Sequence, residues 1–246
     1  MALTAAFSVS ALAEESKPDA EKAQVPAPVA ANILSRLRSG RPELPYGDVE
    51  VSPMPGLYQV QVQNGPLLYV SPDGSFFLTG TLYGVMPGGF VDMQDLALLP
   101  QRREAMDSIA AKDMVTFAAK GEKKAAIYVF TDIDCGYCRK LHNEVPDMNA
   151  RGIEVNYLGY PRAGVNSPSH AKLVSVMCAD DPREALTRMK NNPGLKLPTC
   201  ANTSVAEQFA LGSKLGVRGT PAIILADGSL LPGYLTAADL AKQLGI

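Results

Sequence analysis

An almost unbroken apolar segment, Ala125 to Phe130, gives way through a short polar turn to Cys135-Gly136-Tyr137-Cys138 and then to a charged, helix-forming stretch. Such a run reads as a strand buried on both faces, so the chain around it must supply a layer on each side of a sheet. After the turn, Cys138, Leu141, Val145 and Met148 recur at helical spacing and are expected to face the core. Arg139, Lys140, His142 and Glu144 fall on the other faces, and Pro146 should kink or interrupt the helix. This places Cys135 at an exposed first turn and points Cys138 inward. The spacing lets both sulfurs meet across one helical turn. Free amides and the positive end of the helix dipole favour a thiolate on Cys135, the attacking species in thiol–disulfide exchange.

A C-x-x-C pair is also half of a structural zinc site, which needs two further ligands at short spacing. The remaining candidates, Cys178, Cys200, His142 and His170, do not supply them. Metal is therefore set aside in favour of redox chemistry. The two histidines are expected to be solvated, with His142 the one placed to tune Cys135 electrostatically. Cys178 closes a helix that Ser167 can cap and Pro168 can begin, while Cys200 sits in a loop rich in Pro, Asn and Thr. Four cysteines allow three pairings, and sequence alone does not choose among them; 135–138 with 178–200 is favoured. A structural disulfide persists only in an oxidising compartment.

The N-terminus agrees with export. Residues 2 to 13 are small and apolar and end in Ala11-Leu12-Ala13, the form of a secretory h-region and cleavage site, although no basic region precedes them. The stretch is too short to span a membrane. Residues 14 to 28 are polar and rich in Ala and Pro, and are expected to be disordered. A net charge of −2, with no basic block, argues against nucleic acid and anionic membrane surfaces as partners.

Residues 29–90 open with a helix, Val29 to Ser39, and continue as strand and turn. Tyr58, Val60 and Val62 alternate with glutamines, as a half-buried strand should. Asn64-Gly65 signals a hairpin weakened by Pro66, and Leu67 to Val70, Pro72-Asp73-Gly74 and Phe76 to Thr79 continue an antiparallel meander. Residues 91–111 are rich in helix formers around Pro100, which could begin a connecting helix with Gln101-Arg102-Arg103-Glu104 as its polar face. Residues 112–246 alternate strands and helices: a strand at Ile153 to Gly159, helices starting at Asp181 and Ser204, a hairpin about Asp227-Gly228, and a last helix from Thr236 to Leu244. A βα unit followed by a hairpin and helix is the order of the thioredoxin fold, here with a helical insertion. In that fold the position of Pro221 is a cis proline beside the reactive cysteine, and the residue before it, Thr220, exposes backbone to substrate.

On these residues the chain resembles the DsbC/DsbG family of bacterial periplasmic thiol:disulfide interchange proteins. The likeness lies in Phe130-Thr131-Asp132-Ile133-x-Cys135-Gly136-Tyr137-Cys138-x-Lys140-Leu141-His142, Pro161-Arg162, Ala210-Leu211-Gly212, Gly219-Thr220-Pro221-Ala222 and Leu231-Pro232-Gly233-Tyr234. It extends more loosely through the N-terminal region, and Pro100 departs from the continuous linker helix of that pattern. The resemblance implies an α+β / α/β architecture. A signal remnant (1–13) and a disordered segment (14–28) precede a small antiparallel, cystatin-like dimerisation domain (29–90). A linker helix (91–111) then leads to a thioredoxin-like catalytic domain (112–246).

It further implies Cys135 and Cys138 as the catalytic pair, with Gly136, Tyr137, Thr220 and Pro221 setting their environment and Cys178–Cys200 as a structural disulfide. The implied protein is a periplasmic homodimer, with no cofactor or metal and no membrane insertion. Its partners are misoxidised or unfolded exported proteins and a membrane reductase of the DsbD type. Two other redox readings stand beside this one. One is a DsbG-like reductase or chaperone guarding single cysteines, which Gly136 disfavours; the other is a monomeric dithiol oxidase. A holdase that ignores the cysteines is a third.

Overall fold

The computed structural model describes residues 24–63, 65–201 and 204–246, so the expected signal remnant lies outside the described residues. Contacts within the chain divide it after Thr81 into two units.

The first unit begins with α1 (Ala27–Gly40), so Ala27 and Pro28 are helical rather than part of a disordered segment. Proline suits a first turn, where its missing N–H costs no helical hydrogen bond. Ile33 and Leu37, one turn apart, pack with Val60, Val62, Leu68 and Val70 into the core of this unit. The strands β1 (Tyr46–Val51), β2 (Tyr58–Val62), β3 (Leu67–Val70) and β4 (Phe77–Thr79) form an antiparallel sheet in sequence order. β1 was not read from the sequence: its register shifts between Tyr46 and Val49, and an irregular strand blurs the alternation. β2 and β3 pair from Tyr58↔Val70 to Gln61↔Leu67. Asn64, within the loop between them, lies outside the described residues. β4 is an edge, and Phe77 and Leu78 stand more than half exposed on it.

The second unit opens with a hairpin absent from the sequence reading, β5 (Tyr83–Met86) and β6 (Gly89–Asp92). Next comes α2 (Met93–Ser108), which Asp92 caps by accepting from the amides of Gln94 and Asp95. Pro100 lies inside this helix rather than at its start. The expected polar face is also corrected at Arg102, which is buried. Its Nε donates to the Leu215 carbonyl at 2.9 Å and its Nη1 to that of Gly228 at 3.3 Å, while Nη1 meets Asp95 at 2.6 Å. Gly228 (φ +89°) permits the approach, because a Cβ there would run into the backbone of Leu99.

A central sheet follows in the order β11-β10-β8-β9-β7. It is built from β7 (Val115–Phe117), too short to be read from the sequence, β8 (Ala125–Thr131), β9 (Ile153–Gly159), β10 (Ala222–Leu225) and β11 (Leu230–Pro232). β8 is central, parallel to β9 and antiparallel to β10. Its side chains alternate between two cores. Ile127 and Val129 join one with Leu141, Met148, Leu173 and Leu240; Phe130 joins the other with Met106, Leu158 and Leu215. A strand buried on both faces is therefore apolar throughout, which is why its sequence lacks alternation.

The flanking helices are α3 (Gly136–Asn143), α4 (Val145–Ala150), α5 (Pro168–Met177), α6 (Pro182–Asn191), α7 (Ser204–Lys214) and α8 (Ala237–Leu244). The break between α3 and α4 falls at Glu144, with Pro146 inside the first turn of α4. Side chains of Ser167, Asp181 and Thr236 cap α5, α6 and α8. Gly212 on α7 lets Phe130 and Tyr160 close over it, since a Cβ would lie 2.9 Å from either ring.

Cys178 and Cys200 form a disulfide that closes the insertion across 22 positions. Replacing Cys200 with serine should lower stability by about 2–4 kcal/mol, since the unfolded chain regains loop entropy. Urea unfolding monitored in the oxidised protein checks this; a loss below about 1 kcal/mol would assign the bond no stabilising role.

Candidate active site

Cys135 is the N-cap of α3, in extended conformation, so its side chain lies at the end of the helix where amides lack partners. Its sulfur accepts from the Cys138 amide at 3.2 Å. The thiol also reaches the carbonyl of Thr220 at 3.3 Å, across 85 positions of sequence. The Thr220–Pro221 peptide is cis and leads directly into β10, beside β8. The predicted residues Cys135, Cys138, Thr220 and Pro221 are thus brought together, while Gly136 and Tyr137 form the outer rim. Tyr137 is 65% exposed, and a Cβ on Gly136 would touch only the end of Arg139 at 3.8 Å. One expectation fails: Cys135 is not on an exposed turn but buried, at 2% exposure.

The two thiols are free and electrostatically unlike. Cys135 is lowered to about 5, chiefly by the hydrogen bond from the Cys138 thiol, with the Cys138 amide and the Arg162 charge acting the same way against burial. Cys138, wholly buried, is pushed up by burial and by its bond to Cys135. One sulfur is therefore a thiolate at neutral pH and the other keeps its proton.

Below the pair lies a polar group that sequence reasoning placed wrongly or passed over. His142 is buried rather than solvated: its ring nitrogens bond Tyr157 Oη at 3.1 Å and Thr187 Oγ1 at 3.0 Å. Burial holds it down to about 4, so it is neutral and adds no positive charge near Cys135. His170, also expected to be solvated, is half-buried, and among the described residues its Nε2 has no hydrogen-bond partner. Asp132 is buried at the end of β8. Its Oδ1 accepts from the amide of Asp134 at 2.7 Å and from Ser169 at 2.5 Å, and its Oδ2 from the amide of Arg162 at 2.8 Å. It thereby ties together the loops that frame the cysteines. Lys190, buried on α6, donates to Thr131 Oγ1 at 2.8 Å. Lys190 was passed over because a lysine on a helix reads as surface, although Met189 before it and Leu186 one turn earlier are buried. Among the described residues no cluster of three or more metal-ligating side chains occurs.

The model of a disulfide bond isomerase N-terminal domain matches residues 15–91, and that of a thioredoxin-like domain matches residues 110–245. The thiol:disulfide interchange protein DsbC of Salmonella typhimurium is 38% identical over 187 residues, which cover 76% of each chain. The chain belongs to the DsbC family. DsbC of Escherichia coli is 36% identical over 197 residues, 80% of either chain, and DsbC of Dickeya dadantii 37% over 201 residues, 82% of this chain and 81% of that one. The DsbC likeness therefore spans both units and includes the C-x-x-C site.

Proposed function

We propose that this DsbC-family chain is a protein disulfide isomerase and reductase that rearranges wrong disulfides in exported proteins through a mixed disulfide at Cys135. The observation that carries the reading is the opposed character of the two sulfurs beside the cis Thr220–Pro221 peptide. The Cys135 thiolate attacks one sulfur of a client disulfide; a new S–S bond forms, the old one breaks, and the other client sulfur leaves as a thiolate. The backbone at Thr220, adjacent to the attacking sulfur, suits pairing with an extended client segment. A client thiol that then attacks the mixed disulfide restores Cys135 and completes isomerisation. Alternatively Cys138 attacks, the client leaves reduced, and the 135–138 disulfide must be reduced again. A membrane reductase of the DsbD type fits that last step. Gly136 and Tyr137 leave the rim open to a client chain, and Cys178–Cys200 braces the insertion.

The proposed compartment is the periplasm, supported by the leader-like residues 2–13 and by a disulfide that needs oxidising surroundings. No helix among the described residues is long and apolar enough to cross a membrane. The proposed assembly is a homodimer through the first unit. Exposed Phe76, Phe77 and Leu78 at and beside the β4 edge support it, because an apolar open edge invites another strand. In such a dimer two sites share one client, which favours repeated exchange.

Refolding of a scrambled multi-disulfide substrate, together with a reduction potential, tests the activity; a protein that oxidises dithiols but does not unscramble would sink it. A chain shortened to begin at Leu82 keeps α2 and its Arg102 anchor. It should be monomeric, retain simple dithiol exchange, and lose most unscrambling. Equal unscrambling by the short chain, or a monomeric full chain in sedimentation, would remove the dimer from the mechanism.

A further inference from the structure

Lys190 poses a physical question that the exchange scheme leaves open. It is 2% exposed, its ammonium has three donors, and among the described residues it gives one hydrogen bond, to Thr131. Its Nζ stands 5.6 Å from the centre of the Tyr157 ring, and among the described residues no carboxylate forms an ion pair with it. Burying a cation without a counter-charge is costly, so natural chains seldom keep one without a use. The cost is visible in the side chain, which burial lowers to about 8.

The groups that act on Lys190 come from several elements. Cys138 and Cys135 at the head of α3 and Asp132 at the end of β8 favour its charged form, and Arg139 opposes it. Asp132 is already engaged by the amides of Asp134 and Arg162 and by Ser169. His142 is neutral, and its hydrogen bond to Thr187 joins α3 to α6 one turn from Cys138 on the first helix and one turn from Lys190 on the second. Tyr157 is bonded to His142, and its ring centre lies 5.6 Å from the Lys190 ammonium. The sulfurs remain. Cys138 is the group in need of help: it is wholly buried, and it must lose its proton to attack.

We propose that Lys190 is the buried charge partner of Cys138, accepting its proton and holding its thiolate while the Cys135 mixed disulfide is resolved. This rests on the reading of Cys138 as the resolving thiol. At neutral pH Lys190 is mainly charged beside the Cys135 thiolate. Once Cys135 is bonded to a client sulfur that negative charge is gone, and the ammonium gives its proton to solvent. The amine so formed takes the Cys138 proton. The Cys138 thiolate attacks Cys135 Sγ; the 135–138 bond forms and the Cys135–client bond breaks. The client sulfur leaves with the electron pair and takes a proton from solvent. The two cysteines end oxidised by the two electrons that reduced the client disulfide. Lys190 then has no thiolate to pair with and can release its proton, ready to lose the charge again.

Stopped-flow reaction of the reduced full chain with Ellman's disulfide reagent separates the steps. The first coloured thiolate marks attack by Cys135, the second resolution by Cys138. Losing a close buried charge should raise the Cys138 thiol by about two units. A hundredfold smaller thiolate fraction, offset by roughly tenfold greater nucleophilicity, leaves about a tenfold slower second phase. Lys190→Met should therefore slow the second phase about tenfold more than the first at pH 7, and move its pH midpoint up by about two units. Lys190→Gln, which keeps a polar partner for Thr131, should do the same and serves if the methionine variant does not fold. Lys190→Arg, cationic but unable to give up its proton, should slow the second phase without moving its midpoint upward. A second phase with unchanged pH midpoint and unchanged rate relative to the first in Lys190→Met or Lys190→Gln overturns the proposal. The resolving role itself is read from Cys138→Ser: a second coloured thiolate released at the native rate there would overturn that reading instead.

Discussion

Serine at position 135 is expected to abolish unscrambling of disulfides, and serine at position 138 to leave a protein that accumulates mixed disulfides with its clients. The asymmetry follows from burial and hydrogen bonding. Cys135 receives the Cys138 amide and thiol and is held near 5, so it is a thiolate at neutral pH; Cys138 is buried and keeps its proton. Alkylation of the reduced protein should titrate with a midpoint near 5 and consume Cys135 first; faster labelling of Cys138 at pH 7 would reverse the assignment. A stability effect of defined sign accompanies this. A thiol whose folded pKa lies below its unfolded one stabilises the fold fully above the unfolded value, and that gain is lost as pH falls through the folded one. The reduced form should therefore gain stability relative to the disulfide form as pH rises from about 5 towards 9.0. Denaturant unfolding of both forms across that window checks it; a difference that does not change with pH would contradict a thiolate at Cys135.

The largest loss of stability without any change at the cysteines is expected from Arg102→Ala. That guanidinium spans α2, the end of α7 and the β10–β11 turn through Asp95 and the carbonyls of Leu215 and Gly228. Removing one partner from a buried, hydrogen-bonded charge network typically costs about 3–5 kcal/mol, because what remains is desolvated and unpaired. For a unit of this size the melting temperature should fall by roughly 10 °C. Arg102→Lys keeps the charge but not the planar fork and should recover only part of the loss. If the alanine variant melts within about 2 °C of the parent, the helix is not anchored by this residue.

Elements with a strong local signal were readable from the chain. The apolar run at Ala125 to Phe130, the helical recurrence of Cys138, Leu141, Val145 and Met148, and the capping residues Ser167, Asp181 and Thr236 all lead to elements where expected. Shorter or less regular pieces were not. β7 has three residues, β1 carries a register shift, and the β5–β6 hairpin is largely exposed, so none imposes a clear period on its sequence. The charged residues were misread for a different reason. Arg102 and His142 look like surface positions because solvation is the default for a polar side chain. Their actual partners lie far along the chain, Leu215 and Gly228 for Arg102, Tyr157 and Thr187 for His142.

That two thiols stand at the start of a helix following a buried strand is legible in the chain alone, because helix periodicity and strand burial are written in neighbouring residues. The chemical character of those thiols comes from packing between distant segments. Thr220 reaches Cys135 because β10 lies against β8, and Lys190 stands behind the motif because the helical insertion folds back over the sheet. Burial, which drives Cys138 up and Lys190 down, exists only once that packing has removed water from around them.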